Sequence, residues 1–333
     1  MSPDAPRVIA RAVFDEHDIR AWYKSPYPID TRDLVDAKLW VCARCFKYTT
    51  HSASLQAHLR TCPLKHPPGR KLYQRGAHII WEVDGASEPL YAQNMCLFGK
   101  LFIDNKTICF DVEPFRFYIL TDASSQLDHV LGFFSKEKIS YDGFNLACIV
   151  VFPPYQRQGY GSLLMEFSYY LSDTEHVIGT PERPLSALGL RAYLAFWRAL
   201  LVRTLHGAYT QDSMQARRAR AVLGGERMHI ARVPCSELDA KKRRSHLGWA
   251  GEAPRRLSAL LSMPETPMPA VTSLADLSYA AGLRVEDATL ALAHADLLHR
   301  AKENDFVLDA RILQDAARRY AQKPALLDLA YLV

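Results

Sequence analysis

Four residues with metal-binding side chains fall at a spacing that chemistry can use. The stretch CARCFKYTTHSASLQAHLRTC gives Cys42-x2-Cys45-x12-His58-x3-Cys62. A Cys-x2-Cys knuckle followed by a short helix with His and Cys four apart brings four donors around one tetrahedral Zn2+, because positions i and i+4 share a helix face. His51 and His66 lie nearby and do not improve on this spacing. One such finger covers about three base pairs of DNA, too few for useful specificity alone, so it reads as a structural brace. A second constellation is PPYQRQGYGSLL, residues 153–164, with two glycines one residue apart. It lies between an apolar run, LACIVVF, and an amphipathic run, LLMEFSYYL. Strand, glycine turn and helix in that order aim backbone N–H groups and the positive end of a helix dipole at one spot, which suits the phosphate of a cofactor. The third glycine of G-x-G-x-x-G is missing, and no Gly-Lys-Ser/Thr follows, so neither a dinucleotide fingerprint nor a P-loop is present. A glycine turn that only lets strand and helix pack closely is the bland alternative.

The elements that must hold these residues are drawn from a chain of 333 residues, 49% hydrophobic and 23% charged, large enough for two or more domains. The first residues have no apolar signal core, and nothing approaches the run of about 18 apolar residues that a membrane helix needs. An intracellular protein with no membrane partner is expected. Seven cysteines without a secretory signal point to metal or thiol chemistry, not a disulfide framework.

Gln156-x-x-Gly159-x-Gly161 resembles the pyrophosphate loop of acetyl-CoA-dependent N-acetyltransferases. In order along the chain, AWYKSPYP, the Cys-Cys-His-Cys finger, HPPG, NMCLFGKLFIDNKT, FDVEPFRFY, FSKEK, PPYQRQGYG and GTPERPLSALG resemble the MYST family of histone acetyltransferases over roughly residues 20–205. The resemblance implies an α/β (α+β) fold, with a GNAT-like acetyltransferase core, an N-terminal zinc finger module of the Cys-Cys-His-Cys type and a C-terminal winged-helix or helix-turn-helix part. The expected divisions are 1–75 for the finger module, 76–205 for the acetyl-CoA-binding core, 206–270 for an irregular basic insertion and 271–333 for the C-terminal part. The implied activity is transfer of acetyl from acetyl-CoA to a lysine of a histone tail, foremost that of the fourth core histone, in the nucleus. Structural Zn2+ is the implied metal. The same chemistry on a non-histone protein, and a catalytically idle chromatin adapter, are the other readings.

Chemistry sets its own requirement. A lysine amine with a reference pKa of about 10.4 is protonated at neutral pH, so attack on a thioester needs a base. The resemblance puts that role on Glu182 in GTPERPLS; by itself, a glutamate beside two prolines is a solvated loop residue. Cys148 in NLACIVVF matches the family's active-site cysteine, though free cysteine also packs well as a small hydrophobe. Direct attack with Glu182 as base competes with a route through an acetyl-Cys148 thioester. Direct attack is the expectation, because moving an activated acetyl group to another thiol gains little.

By the same carry-over, Ile149, Val150 and Val151 match the strand edge that pairs with the pantetheine arm. Gln156, Arg157, Gln158, Gly159, Tyr160, Gly161 and Ser162 match the pyrophosphate loop, and Ser186 a serine near the cofactor. Lys100 in FGKLF matches the lysine that acetylates itself; without the family it reads as a surface lysine ending a strand. The chain departs from the family pattern at Ser162, where lysine is usual, at Ala195, where many members have serine, and at Asn105, where histidine is usual. Loss of the lysine weakens cofactor binding by about 0.5 to 1 kcal/mol, since screening blunts a surface charge.

Residues 206–270 carry eleven Lys and Arg, including ARRAR and KKRR, against six Asp and Glu, an excess equal to the chain's whole net charge of +5. Non-specific contact with nucleosomal DNA is one reading of that segment; a solvated loop or a nuclear-import patch is another. Further on, TSLADLSYAAGLRVEDATLALAH reads as helix, turn at Gly282 and helix, opened by a capping-box variant at Ser273 and Asp276, and a short apolar strand follows. Basic side chains such as Arg284, His294 and Arg300 are sparse there, so packing is favoured over DNA reading. About 20 residues before Ala21 are too few for a reader domain, so targeting is expected from scaffold subunits of a chromatin-modifying complex.

Overall fold

A computed structural model describes residues 9–29, 37–104, 110–123, 127–205, 274–295, 298–302, 305–308 and 326–333. The insertion at 206–270, Asn105 and the Ser273 cap lie outside the described residues. The described residues form two compact units: one takes in those from Ile9 to Ser140, Leu146–Leu164 and Val333, and the other takes in Tyr141–Asn145 and the described residues between Met165 and Leu332.

The first unit contains two sheets. In the smaller, β1 (Ile9–Phe14) lies between β2 (His17–Arg20), antiparallel, and β3 (Ala37–Val41), parallel, and β3 pairs with β4 (Tyr48–Thr49). Helix α1 (Ser52–Thr61) follows β4. The larger sheet is antiparallel throughout, in the order β10-β8-β7-β6-β5, from β5 (Arg70–Arg75), β6 (His78–Asp84), β7 (Phe115–Ala123), β8 (Asp128–Glu137) and β10 (Cys148–Val151). Between β6 and β7 the chain forms helix α2 (Pro89–Lys100), whose buried face includes Met95, Leu97 and Phe98. Phe14, Phe46, Phe98, Phe133 and Phe152 are at most 1% exposed and meet in one aromatic cluster, with Phe14 and Phe98 rings stacked at 4.6 Å. Such a cluster binds finger sheet, helix and core sheet into one core, since each ring buries a large apolar area.

Lys100 is the last residue of α2 and is half-buried, so it ends a helix and not a strand as expected from sequence. The run NMCLFGKLF is apolar on every side, and such a run does not separate a buried helix from a strand.

The second unit contains β11 (Thr180–Pro181), which pairs with β9 (Phe144–Leu146), a strand whose Phe144 and Asn145 belong to the same unit. Helix α3 (Tyr160–Thr174) opens in the first unit and continues in the second from Met165. Helix α4 (Ala187–Leu205) packs on α5 (Leu274–Ala281) and α6 (Val285–His294). Trp197, Leu200 and Leu201 of α4 are buried, as are Leu277, Ala280, Ala288 and Leu292 of the helix pair. Gly282 has φ +69°, and Leu283 N–H donates to Ser278 O at 2.9 Å while Gly282 N–H donates to Tyr279 O at 3.0 Å. This is a Schellman stop, which explains why glycine ends α5. After α6 come β12 (Leu298–Lys302) and β13 (Asp305–Leu308), an antiparallel pair where the sequence suggests one strand. Glu166 of α3 is 8% exposed and accepts the backbone N–H groups of Leu326 and Leu327, which ties the last described segment to that helix. Among the described residues no helix is long and apolar enough to cross a membrane.

Candidate functional site

Strand β3 delivers Cys42, the knuckle turns back through Phe46 to β4, and α1 brings round His58 with Cys62 just past its end. Phe46 takes a positive φ of +59° with its ring fully buried, and its N–H donates to Cys42 O at 2.9 Å, so the turn is tight and anchored. The donor atoms of Cys42, Cys45, His58 and Cys62 lie within 4.8 Å of one another, with Cys42 Sγ 3.9 Å from Cys62 Sγ and Cys45 Sγ 3.2 Å from His58 Nε2. Two thiolates on a tetrahedral Zn2+ at ordinary bond lengths stand about 3.8 Å apart, so the cluster fits that ion. The neighbouring Cys45 thiol pulls Cys42 below the usual thiol range, and Cys42 in turn pushes Cys45 up. The finger is a zinc-binding group of three cysteines and one histidine, and of the described residues it is the one cluster of three or more such side chains that could hold a metal.

Strand β10 ends the larger sheet. Its register sets Cys148 opposite Ser135, Ile149 opposite Phe134, Val150 opposite Phe133 and Val151 opposite Gly132. Phe152 N–H donates inward to Leu131 O at 2.9 Å. Backbone groups alternate along an antiparallel strand, so those of Val150 face β8 and those of Ile149 and Val151 face away from the sheet. An extended amide-bearing chain can add to such an edge. At the head of the strand the Cys148 N–H donates to Ser135 Oγ at 3.2 Å, a partner that sequence reasoning misses. Cys148 itself is half-buried.

Beyond β10 the chain makes a 3-10 turn at Pro153–Tyr155 and bends back at Arg157 and Gly159, whose φ values are +64° and +91°. Gln156 Nε2 donates to Val151 O at 2.8 Å and closes this bend. The first α3 bond runs from Leu163 N–H to Gly159 O at 3.0 Å, which leaves the N–H groups of Tyr160, Gly161 and Ser162 without a partner in the helix. A Cβ built on Gly161 would meet only Val151 Cγ2, at 3.9 Å. The protein's own packing thus tolerates a side chain there, and glycine leaves open the space in front of the helix end. Three donors, a helix dipole and a vacant approach suit an anion such as a pyrophosphate. Tyr160 is tied down by His78, whose Nε2 lies 3.1 Å from the tyrosine hydroxyl. Arg157 and Gln158 flank the bend, and Ser162 is exposed.

Glu182 and Ser186 belong to the second unit, Cys148 and the glycine turn to the first. Glu182 is exposed and directly follows β11, whose Thr180 and Pro181 are buried. Thr180 Oγ1 donates to Asp287 Oδ2 at 2.7 Å, and Arg183 Nη2 donates to Asp287 Oδ1. Burial pushes the Asp287 carboxyl above its ordinary value, against the opposing pull of Thr180 and Arg183. Ser186 Oγ accepts the Gly189 N–H at 3.1 Å and so opens α4. Ala195 is half-buried within α4. Lys100 Nζ donates to Ile103 O at 3.1 Å and Asp104 O at 2.5 Å, and lies 5.9 Å from the Tyr23 ring centre. Arg284 is engaged internally: Nε donates to Ile178 O at 3.4 Å and Nη2 to Asp142 O and Gly143 O.

A model of the MYST family zinc finger domain matches residues 6–62, and one of the MOZ/SAS family matches residues 66–222. Histone acetyltransferase of the MYST family 1 of Arabidopsis thaliana is 46% identical over 194 residues, 58% of this chain and 43% of its own length. Histone acetyltransferase ESA1 of Debaryomyces hansenii is 44% identical over 199 residues, 60% of this chain and 38% of its own length. Putative MYST-like histone acetyltransferase 1 of Oryza sativa subsp. japonica is 45% identical over 197 residues, 59% of this chain and 43% of its own length. The matched stretch therefore spans less than half the length of these curated relatives. The finger and the glycine turn both fall inside the matched segments, and the chain belongs to the MYST family.

Proposed function

We propose that the protein is a lysine acetyltransferase that moves the acetyl group of acetyl-CoA to a lysine of a histone tail. The observation that carries this reading is the pairing of an outward-facing strand edge, Ile149–Val151, with an anion-suited helix start at Tyr160–Ser162. A pantetheine arm offers amides to the first and a pyrophosphate offers charge to the second. The relatives' names supply the acceptor class, histones.

In this reading the incoming amine is protonated in solution and loses its proton to Glu182 as it attacks the thioester carbonyl. The C–N bond forms as the C–S bond breaks, the second proton of the nitrogen passes to the departing sulfur, and coenzyme A leaves as the thiol. Cys148 shapes the strand head beside the acetyl group. Ser186 lies near the cofactor, and zinc at the finger holds the fold of the N-terminal module without entering the reaction. Nuclear localisation, scaffold subunits and contact of 206–270 with nucleosomal DNA belong to the same reading. The free chain is expected to acetylate isolated histones better than nucleosomes, and scaffold subunits are expected to reverse that preference.

Incubation of the purified chain with labelled acetyl-CoA and mixed core histones tests the reading. Label on histone lysines supports it. Label on other proteins alone moves the activity to a non-histone substrate, and no transfer to any protein leaves an adapter.

A further inference from the structure

Glu182 stands between two residues that share one carboxylate. Asp287 accepts from Thr180 on one oxygen and from Arg183 on the other, and so holds the residues two before and one after Glu182. The carboxylate is 1% exposed and sits in the first turn of α6. An acidic group buried that deeply is costly unless both oxygens are paired, and here both are. Arg183 is fixed a second time, its guanidinium 5.9 Å from the ring centre of Trp197, which is buried on α4 and donates to Tyr169 Oη at 2.7 Å. Helix α6 is itself tied down, because Arg284 at its N-cap bonds the carbonyls of Asp142, Gly143 and Ile178. The segment held in this way is short and open to solvent: β11 is two residues long, and the chain is exposed from Glu182 to Pro184.

We infer that Asp287 is a positioning residue for acetyl transfer, clamping the Thr180–Arg183 turn from helix α6 and so fixing where the Glu182 carboxylate stands. This rests on the reading of Glu182 as the base. A base must lie within hydrogen-bond reach of the proton it takes, and a displacement of about 1 Å can cost about a hundredfold in rate. The C-terminal helix pair thereby has a task in the reaction without touching substrate.

The test uses the full chain carrying Asp287→Asn, Thr180→Val, Thr180→Ser or the Thr180→Val/Asp287→Asn pair. Expected are a fall in kcat of about tenfold for Asp287→Asn and several-fold for Thr180→Val, with KM for histone and the acetyl-CoA Kd within about twofold of wild type. Thr180→Ser keeps the donor and recovers most of the Thr180→Val loss. The double variant loses less than the product of the single losses, because both remove the same bond. Amide hydrogen exchange over residues 179–189 should quicken in Asp287→Asn and Thr180→Val. That measurement needs no activity, so it decides the clamp even if the wild type transfers no acetyl group and the reading of Glu182 falls. Should Asp287→Asn fail to fold, Thr180→Val and Thr180→Ser carry the test. Unchanged exchange and kcat in Thr180→Val, or an equal loss in Thr180→Ser, overturns the inference.

Discussion

Gln156 Nε2 donates to Val151 O at 2.8 Å, joining the end of the sheet's edge strand to the bend that opens helix α3. This bond occupies the carbonyl that would otherwise be free at the strand end and sets the bend's shape. The glycines behind it then decide what fits against the helix start.

Gly161→Ala separates folding from binding. The added Cβ meets nothing closer than 3.9 Å within the protein, and alanine in a helix is worth about 0.5 to 1 kcal/mol over glycine. Thermal melting is therefore expected unchanged or slightly higher. Acetyl-CoA, which must approach that backbone, should bind about tenfold more weakly, a loss of about 1.4 kcal/mol. Calorimetric titration giving a wild-type Kd would remove the phosphate-binding role of the turn.

Zinc analysis should return one equivalent per chain. Because the binding free energy of a structural zinc is folding free energy, Cys45→Ser is expected to cost several kcal/mol in the finger module and to lower soluble yield. Chelator treatment should lower the melting temperature of wild type and leave Cys45→Ser nearly unmoved. An unchanged wild-type melt after complete metal removal contradicts the assignment.

How far these features can be read from sequence depends on whether the information is local. The finger is legible because four ligands within one short stretch have one sensible geometry, and the glycine turn because strand, bend and helix are consecutive. Asp287 is not legible. In LRVEDATLAL it looks like ordinary acidic charge at a helix start, and its partners Thr180 and Arg183 are far away along the chain. Lys100 reads as a strand end because a run apolar on every face hides the helical period. Strand β12, LHRAK, escapes sequence reading for the opposite reason, since its charged residues suppress the apolar signal that marks β13, DFVL. The two basic residues of the helix pair that lie among the described side chains divide: Arg284 is engaged internally, and His294 is exposed.

Stability should fall on mild acidification in a way traceable to His78. Burial holds its pKa below the ordinary 6.5, with Arg75 acting in the same sense and Asp122 against it. The unfolded chain therefore takes up a proton first as the pH drops through about 6.5, which favours unfolding until the folded-state pKa is passed. Melting temperatures between about pH 7.5 and 5.5 should drop more steeply for wild type than for His78→Gln. Parallel slopes would show that His78 does not titrate differently on folding.

Lys100 is expected to be acetylated in the active protein. The ammonium donates to Ile103 O and Asp104 O, and acetylation leaves one N–H in place of three and removes the charge, so these two contacts must rearrange. Peptide mass spectra of fully active protein should show the modified lysine. Finding it wholly unmodified removes this expectation.

The central claim, that Glu182 takes the proton from the attacking amine, is tested most directly by single-turnover acetyl transfer from saturating acetyl-CoA to core histones. Glu182→Gln keeps size and shape but cannot accept the proton. Its rate at neutral pH should fall about 10²- to 10⁴-fold, recover in part as the pH rises, and leave acetyl-CoA affinity near wild type, while Cys148→Ala keeps most of the activity. A wild-type rate in Glu182→Gln contradicts the claim. So does abolished chemistry in Cys148→Ala together with an acetyl-thioester accumulating on Cys148 of the wild type when no acceptor is present.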